Sequence, residues 1–234
     1  MIGLYTVDLL QILRLKKGLL QEAGNYKLGI ITSALIDLIN LDRIEFKLRN
    51  EKDLYVIVKD NDITGNELLD EIYLTIKDCP KEYTVREWIT RFTESYNAFE
   101  RNHLISLERR EILIKEPKSK QFWRYILFIT MIICAPFIGL AVIYYKYSMK
   151  LTRYVFKNPF LQNQLLTDLY KNLRSLELPE QSMFGLIIIL KITGLNSLLL
   201  SHEYHDDVVK KYYQLQDYDF QNPNIKELID YLNL

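Results

Sequence analysis

The chain has 234 residues, enough for one large domain or two small ones with an ample core. Lysine plus arginine equals aspartate plus glutamate at 30 each. A formal charge of zero argues against general nucleic-acid binding, which needs a basic excess to displace counterions. Cys79 and Cys134 are the two cysteines, too few for a disulfide framework, which fits a reducing compartment.

The opening stretch, "MIGLYTVDLLQILRLKKG", lacks the basic region and following apolar run of an export signal. The expectation is a cytoplasmic chain beginning at Met1. No repeat or low-complexity tract is visible. In "IITSALIDLIN", Ile31, Ala34, Leu35, Leu38 and Ile39 are spaced to line one face of a helix. "RIEFKL" alternates Ile44, Phe46 and Leu48, "RNEKD" turns, and "LYVIVK" returns, which predicts a β-hairpin. Thr64 with Glu67 forms a capping-box pattern for "GNELLDEIYLTIKD", and Cys79-Pro80 closes that helix. Thr84 with Glu87 repeats the pattern for "VREWITRFTES", where Val85, Trp88, Ile89 and Phe92 form the apolar stripe. A further helix runs through "AFERNHLISLERR" into a short strand, "EILIKE". Beyond an apolar block, "TRYVFKNP" predicts a strand ending at Pro159. Amphipathic helices follow in "FLQNQLLTDLYKNLRSLE", "EQSMFGLIIILKITG", "HEYHDDVVKKYYQL" and "NIKELIDYLN". The fold class is mainly α, with few and short strands.

"ALIDLINLDRIEF", "VIVKDNDITGNELLDEIYLTIKD", "TVREWITRF" and "SLERREILIKE" resemble, in order and spacing, successive blocks of the Golgi phosphoprotein 3 family, which has bacterial and eukaryotic members. The run from Thr64 to Glu71 is the most characteristic stretch. The resemblance covers residues 28–116 and continues more faintly to "VVKKYYQL". It implies a compact, mainly helical domain with a projecting β-hairpin, and no enzymatic activity. It also implies a membrane-surface role, because eukaryotic members bind phosphatidylinositol 4-phosphate and act as adaptors retaining glycosyltransferases in the Golgi. The family's lipid-pocket arginines fall near Ile31, Asn97 and Glu100 here, with Arg101 one position away. Its pocket tryptophan has no counterpart, Trp88 being expected in the core. No basic leader of the kind used for coat binding is expected.

In this alignment "EILIKE" and "RYVFK" are the family's hairpin strands, and the block between them is the most unusual stretch of the chain. Residues 125–145 carry no charged side chain. As one helix they would reach about 31 Å, close to a hydrocarbon core. A single crossing would place the two strands of one hairpin on opposite sides of a membrane. The charges oppose it too. From Pro117 to Thr167 there is no acidic residue, and Lys118, Lys120 and Arg124 precede the block while Lys146, Lys150, Arg153 and Lys157 follow it. Positive flanks mark the cytoplasmic side, and here both flanks are positive. Pro136 and Gly139 supply a break in the middle. The block therefore predicts a helical hairpin that dips into one leaflet and returns.

The expected organisation is a single domain over 1–234, interrupted by this insertion at 123–153. Trp123, Tyr125, Phe128, Ile132, Phe137, Leu140, Tyr144 and Tyr145 are the candidate membrane-inserting residues, with the aromatic rings at the rim. Arg101, Arg109, Arg110, Lys118, Lys120, Arg124, Lys146, Lys150 and Arg153 are the candidate contacts to anionic phospholipid. Arg109 and Arg110 read equally well as a solvated helix end favoured by the dipole. A buried core helix and a true single span are the alternative readings of the block. His202, His205 and Asp206 could share a helix face for a metal, although the histidine spacing is three rather than the four of a His-Glu-x-x-His helix. Asp70 and Glu71 read as solvated or structural rather than as an acid-base pair. His103 is expected at the edge of its helix, and no cofactor is expected. The favoured reading is a non-enzymatic adaptor or scaffold on the cytoplasmic face of a membrane, bacterial inner membrane or Golgi. The runner-up is a soluble helical module that homo-oligomerises through the apolar hairpin.

Overall fold

The computed structural model describes residues 4–16, 19–20, 25–49, 53–59, 62–116, 122–123, 125–127, 129–130, 154–175, 177, 179, 181–195, 202–216 and 223–232. Helix α1 spans Thr6–Arg14, and strands β1 (Leu15–Lys16) and β2 (Leu19–Leu20) follow it. Then come α2 (Tyr26–Asn40), the hairpin β3 (Ile44–Arg49) and β4 (Asp53–Val58), α3 (Glu67–Lys77), α4 (Val85–Glu94) and α5 (Tyr96–Arg109). Strands β5 (Leu113–Lys115) and β6 (Tyr154–Phe156) pair with each other, and α6 (Leu161–Arg174), α7 (Gln181–Ile192), α8 (His202–Gln216) and α9 (Pro223–Leu232) complete the chain. The fold is mainly helical, and the sheets of the described residues are three two-stranded antiparallel pairs.

Two helices hold the centre. Helix α2 was expected to bury one face, yet Gly29 through Ile39 are all buried. It begins at Tyr26, ahead of the expected stretch, and packs against α1, α7, α3 and α4. A helix enclosed on all sides has no solvent face to keep polar, which is why its sequence is apolar almost all round. Helix α1, for which the sequence pattern gave no element, is buried along its whole length, including Asp8, Gln11 and Arg14. Its close approach to α7 depends on Gly185: a Cβ there would stand 2.7 Å from the Thr6 hydroxyl oxygen. Such overlap would force the helices apart.

Local rules explain the boundaries. Asn66 caps α3, its side chain accepting from the backbone N–H groups of Leu68 and Leu69. This corrects the expected capping box of Thr64 and Glu67. The Asn side chain reaches the first turn directly, so the capping role moves two residues along. Thr84 and Glu87 do form the expected reciprocal box at α4. Trp88 lies in the core, stacked on Phe92 with ring centroids 5.2 Å apart. The β3–β4 hairpin pairs Ile44 with Val58 through to Arg49 with Asp53. Asn224 at the start of α9 fixes it to the body by accepting from the Phe46 N–H at 2.7 Å. The main core gathers side chains from every helix, while a small second cluster, Leu15, Leu104, Leu107 and Leu113, sits beneath β5 and β6.

Candidate functional site

The site begins where α5 ends. Glu111 takes a left-handed conformation, φ 58°, and the Ile112 N–H returns to the Leu107 carbonyl at 3.0 Å. This turn closes α5 and sends the chain into β5. Register then pairs Leu113 with Phe156, Ile114 with Val155 and Lys115 with Tyr154. The strands expected from "EILIKE" and "RYVFK" are thus partners, and the chain leaves at Lys115 beside the point where it returns at Tyr154. Leu113 points into the second core, while Ile114 is exposed.

Beyond this stem, the described residues between 122 and 130 that lie in helical conformation expose apolar side chains. Phe122 is 61% and Trp123 68% accessible, and Tyr125, Ile126, Leu127 and Ile129 are exposed as well. No helix among the described residues is long and apolar enough to cross a membrane. Of the expected inserting residues, Phe128, Ile132, Phe137, Leu140, Tyr144 and Tyr145 lie outside the described residues, as do the basic candidates Lys118, Lys120, Arg124, Lys146, Lys150 and Arg153.

The three basic candidates on the body have different surroundings. Arg101 is exposed. Arg109 is exposed and paired with Glu67. Arg110 turns inward: its Nη1 donates to Asp8 Oδ2 at 2.7 Å, and its side chain is only 25% accessible. Nearby, Lys115 pairs with Glu108 at 2.9 Å and Lys157 with Glu111. Arg109, Arg110, Lys115 and Lys157 thus each meet a carboxylate.

Asp8 organises this region from below. It is fully buried and meets His103 Nε2 at 2.9 Å, the Asn66 side-chain amide at 3.3 Å and the Tyr5 backbone N–H at 3.1 Å, besides Arg110. Burial alone would raise its pKa, but the hydrogen bond from His103 and the charges of His103 and Arg110 outweigh burial and hold it below the usual carboxylate value. His103, expected at a helix edge, is instead enclosed, because only there can it meet this carboxylate. One turn pair further along α1, Arg14 is buried too. It donates to Gln11 at 2.8 Å, Tyr96 at 2.9 Å and Glu100 at 3.0 Å, and lies 4.0 Å from the centre of the Tyr26 ring. Asp8, Gln11 and Arg14 recur every three residues in an otherwise apolar run. That stripe was the available signal for a polar seam between α1 and α5.

The stretch from Thr64 to Glu71 has a structural explanation. Gly65 takes φ 78°, a conformation that favours glycine. Asp70 reaches back to accept from the Thr64 N–H at 2.5 Å, the Thr64 hydroxyl at 2.7 Å and the Gly65 N–H at 3.1 Å. Leu68 and Leu69 fill the core, and Glu71 accepts from Asn102 at 2.7 Å. Helix α8 starts at His202 as the sequence suggests, Asp206 is exposed, and Asp207 pairs with Arg174 at 3.2 Å. Among the described residues no group of three or more histidine, cysteine, aspartate or glutamate side chains is arranged to hold a metal.

Compared with known protein families, the chain matches no family model, and no curated protein aligns with it significantly.

Proposed function

We propose that this protein is a non-enzymatic, membrane-associated scaffold that docks on anionic phospholipid through the segment between β5 and β6, as its resemblance to the Golgi phosphoprotein 3 family implies. The observation that carries the reading is the register of the stem. With Lys115 opposite Tyr154, a segment that entered a bilayer would have to leave it on the same side. The exposed run of Phe122, Trp123, Tyr125, Ile126, Leu127 and Ile129 adds support. Contiguous apolar side chains in water need a partner, and aromatic rings suit the lipid interface.

Charge supplies the second attraction. Lys118, Lys120, Arg124, Lys146, Lys150 and Arg153 flank the apolar block, and a lysine or arginine near an anionic surface contributes about 1 kcal/mol, while Lys157 is paired with Glu111. Together with buried apolar arms, they meet the two-signal requirement for stable anchoring. Headgroup identity matters less in this reading. Near the positions where the family it resembles carries pocket arginines stand Asn97 and Glu100, and Glu100 is committed to Arg14. The proposed location is the cytoplasmic face of a membrane, where the protein would present its helical body to client membrane proteins.

Liposome flotation of the full chain and of a variant lacking residues 125–145 tests the proposal. The full chain is expected to float with phosphatidylserine and phosphatidylglycerol vesicles alike, and the deletion variant to remain soluble. Flotation with phosphoinositide vesicles alone would overturn the charge-driven part. Release of the full chain from membranes by carbonate, with a change of oligomeric state on deletion, would favour the soluble oligomer instead.

A further inference from the structure

Lys115 is the last residue of β5 and stands opposite Tyr154, where the segment proposed to dock on lipid leaves and rejoins the body. Its ammonium meets the Glu108 carboxylate at 2.9 Å, with the lysine side chain 57% and the glutamate 30% accessible. Glu108 belongs to the last turn of α5, so its backbone is fixed by the helix. The other charged groups around Tyr154 are Arg101 and Glu100. Glu100 is held by the buried Arg14, and Arg101 is exposed with no carboxylate partner among the described residues. The neighbouring ion pairs are placed differently. Asp8, the partner of Arg110, is closed to solvent, so no outside anion can replace it. Lys157, the partner of Glu111, lies beyond the far end of β6, about 10 Å along the strand from Tyr154. Glu108–Lys115 is therefore the open pair at the exit itself.

We infer that Glu108 stands in for lipid phosphate in the free protein, and that docking on an anionic bilayer exchanges this carboxylate on Lys115 for a phosphodiester oxygen. Both anions offer an ammonium one negative charge and oxygen acceptors, so the exchange keeps a charge-assisted hydrogen bond. The balance between them is close. An open ion pair contributes little in water, and a lysine at an anionic surface gains an attraction of similar size. Over neutral lipid the carboxylate keeps Lys115; over anionic lipid the phosphates outnumber it. Glu108 thereby sets a threshold of surface charge for docking, whereas Arg101 has no such bond to give up. The inference rests on the proposed membrane docking and adds the contact that restrains it.

The test measures partition of the full chain into phosphatidylcholine vesicles with and without phosphatidylglycerol at physiological ionic strength. Glu108→Gln is expected to bind the phosphatidylglycerol vesicles about two- to fivefold more tightly than the wild type. That gain is expected to shrink in a Lys115→Gln background, where only general repulsion between the carboxylate and the lipid remains to be removed. A zero-length carbodiimide cross-link between Glu108 and Lys115, read by mass, is expected in the free chain and with pure phosphatidylcholine vesicles. Its yield is expected to fall on phosphatidylglycerol vesicles. No gain in Glu108→Gln, an equal gain in both backgrounds, or a cross-link yield that phosphatidylglycerol leaves unchanged would overturn the exchange. Any of these with a wild type that still binds removes this inference alone. A wild type and a Glu108→Gln variant that both fail to bind anionic vesicles would remove the docking reading and the exchange together.

Discussion

The helical body and the apolar segment break the usual rule of solvation in opposite directions. Along the seam between α1 and α5, ionisable side chains are withdrawn from water: Asp8, Arg14 and His103 are enclosed. At Phe122, Trp123, Tyr125, Ile126, Leu127 and Ile129, aromatic and aliphatic side chains are left in it. The difference is one of compensation. Every enclosed charge of the seam meets a partner within 3.0 Å, so the cost of desolvation is offset inside the fold. The exposed apolar side chains have no such offset within the body, and a second phase or a second molecule must provide it. The seam concerns folding; the exposed run is where the proposed association would act.

The comparison breaks most visibly at Asp8. Replacing it with alanine leaves Arg110 and His103 facing an empty wall, and the body is expected to lose roughly 3–5 kcal/mol in urea unfolding. Arg110→Gln should cost less, because His103 still meets the carboxylate and position 110 reaches water. Next in size is Leu107→Ala, beneath the stem. Truncating this buried side chain should cost roughly 2–5 kcal/mol, with amide exchange rising first in Leu113–Lys115 and Tyr154–Phe156.

A pH series separates the two buried carboxylates of this region. Asp37, which caps α1, is raised by burial to about 7 in the folded protein, so the stability linked to it is fully present below about pH 4 and is lost as pH rises through 7. Asp8 is lowered, so its contribution is present above the ordinary carboxylate range and is lost in acid. Urea midpoints measured from pH 4 to pH 8 should therefore decline in the wild type and flatten in D37N. The smallest expected stability effect falls in the exposed run. Trp123→Ser should change unfolding by no more than about 0.5 kcal/mol while weakening liposome flotation, which would keep folding and association apart. A large loss of stability there would instead place the ring inside the fold.

The elements whose apolar residues recur with a clear period were legible in the sequence: α4, with its capping box and stripe, and the β3–β4 hairpin, with its alternation, are formed as expected. Pairing of β5 with β6 was legible only through resemblance, since no local rule links strands so far apart in the chain. Helix α1 was missed because periodicity finds surfaces, and α1 has none facing water. Its polar residues, which normally mark a solvent face, mark contact with α5 instead. His103 was misjudged for the same reason: its carboxylate partner lies 95 positions earlier, on another helix. Asp37 shows the limit plainly, because the helix start that it caps, at Thr6 and Val7, stands some 30 positions earlier in the chain.

The three rungs joining Leu113–Lys115 to Tyr154–Phe156 have a consequence for engineering. Because the two cut ends already lie side by side, everything between them is a removable cassette, and a tight Asn-Gly turn could close the gap without disturbing the neighbours of Leu113. Closure entropy grows only slowly with the length of a flexible connection, about 0.6 kcal/mol per doubling, so longer payloads would be tolerated as readily as shorter ones. The same platform could then be fitted with a fluorophore, an affinity tag or a binding peptide.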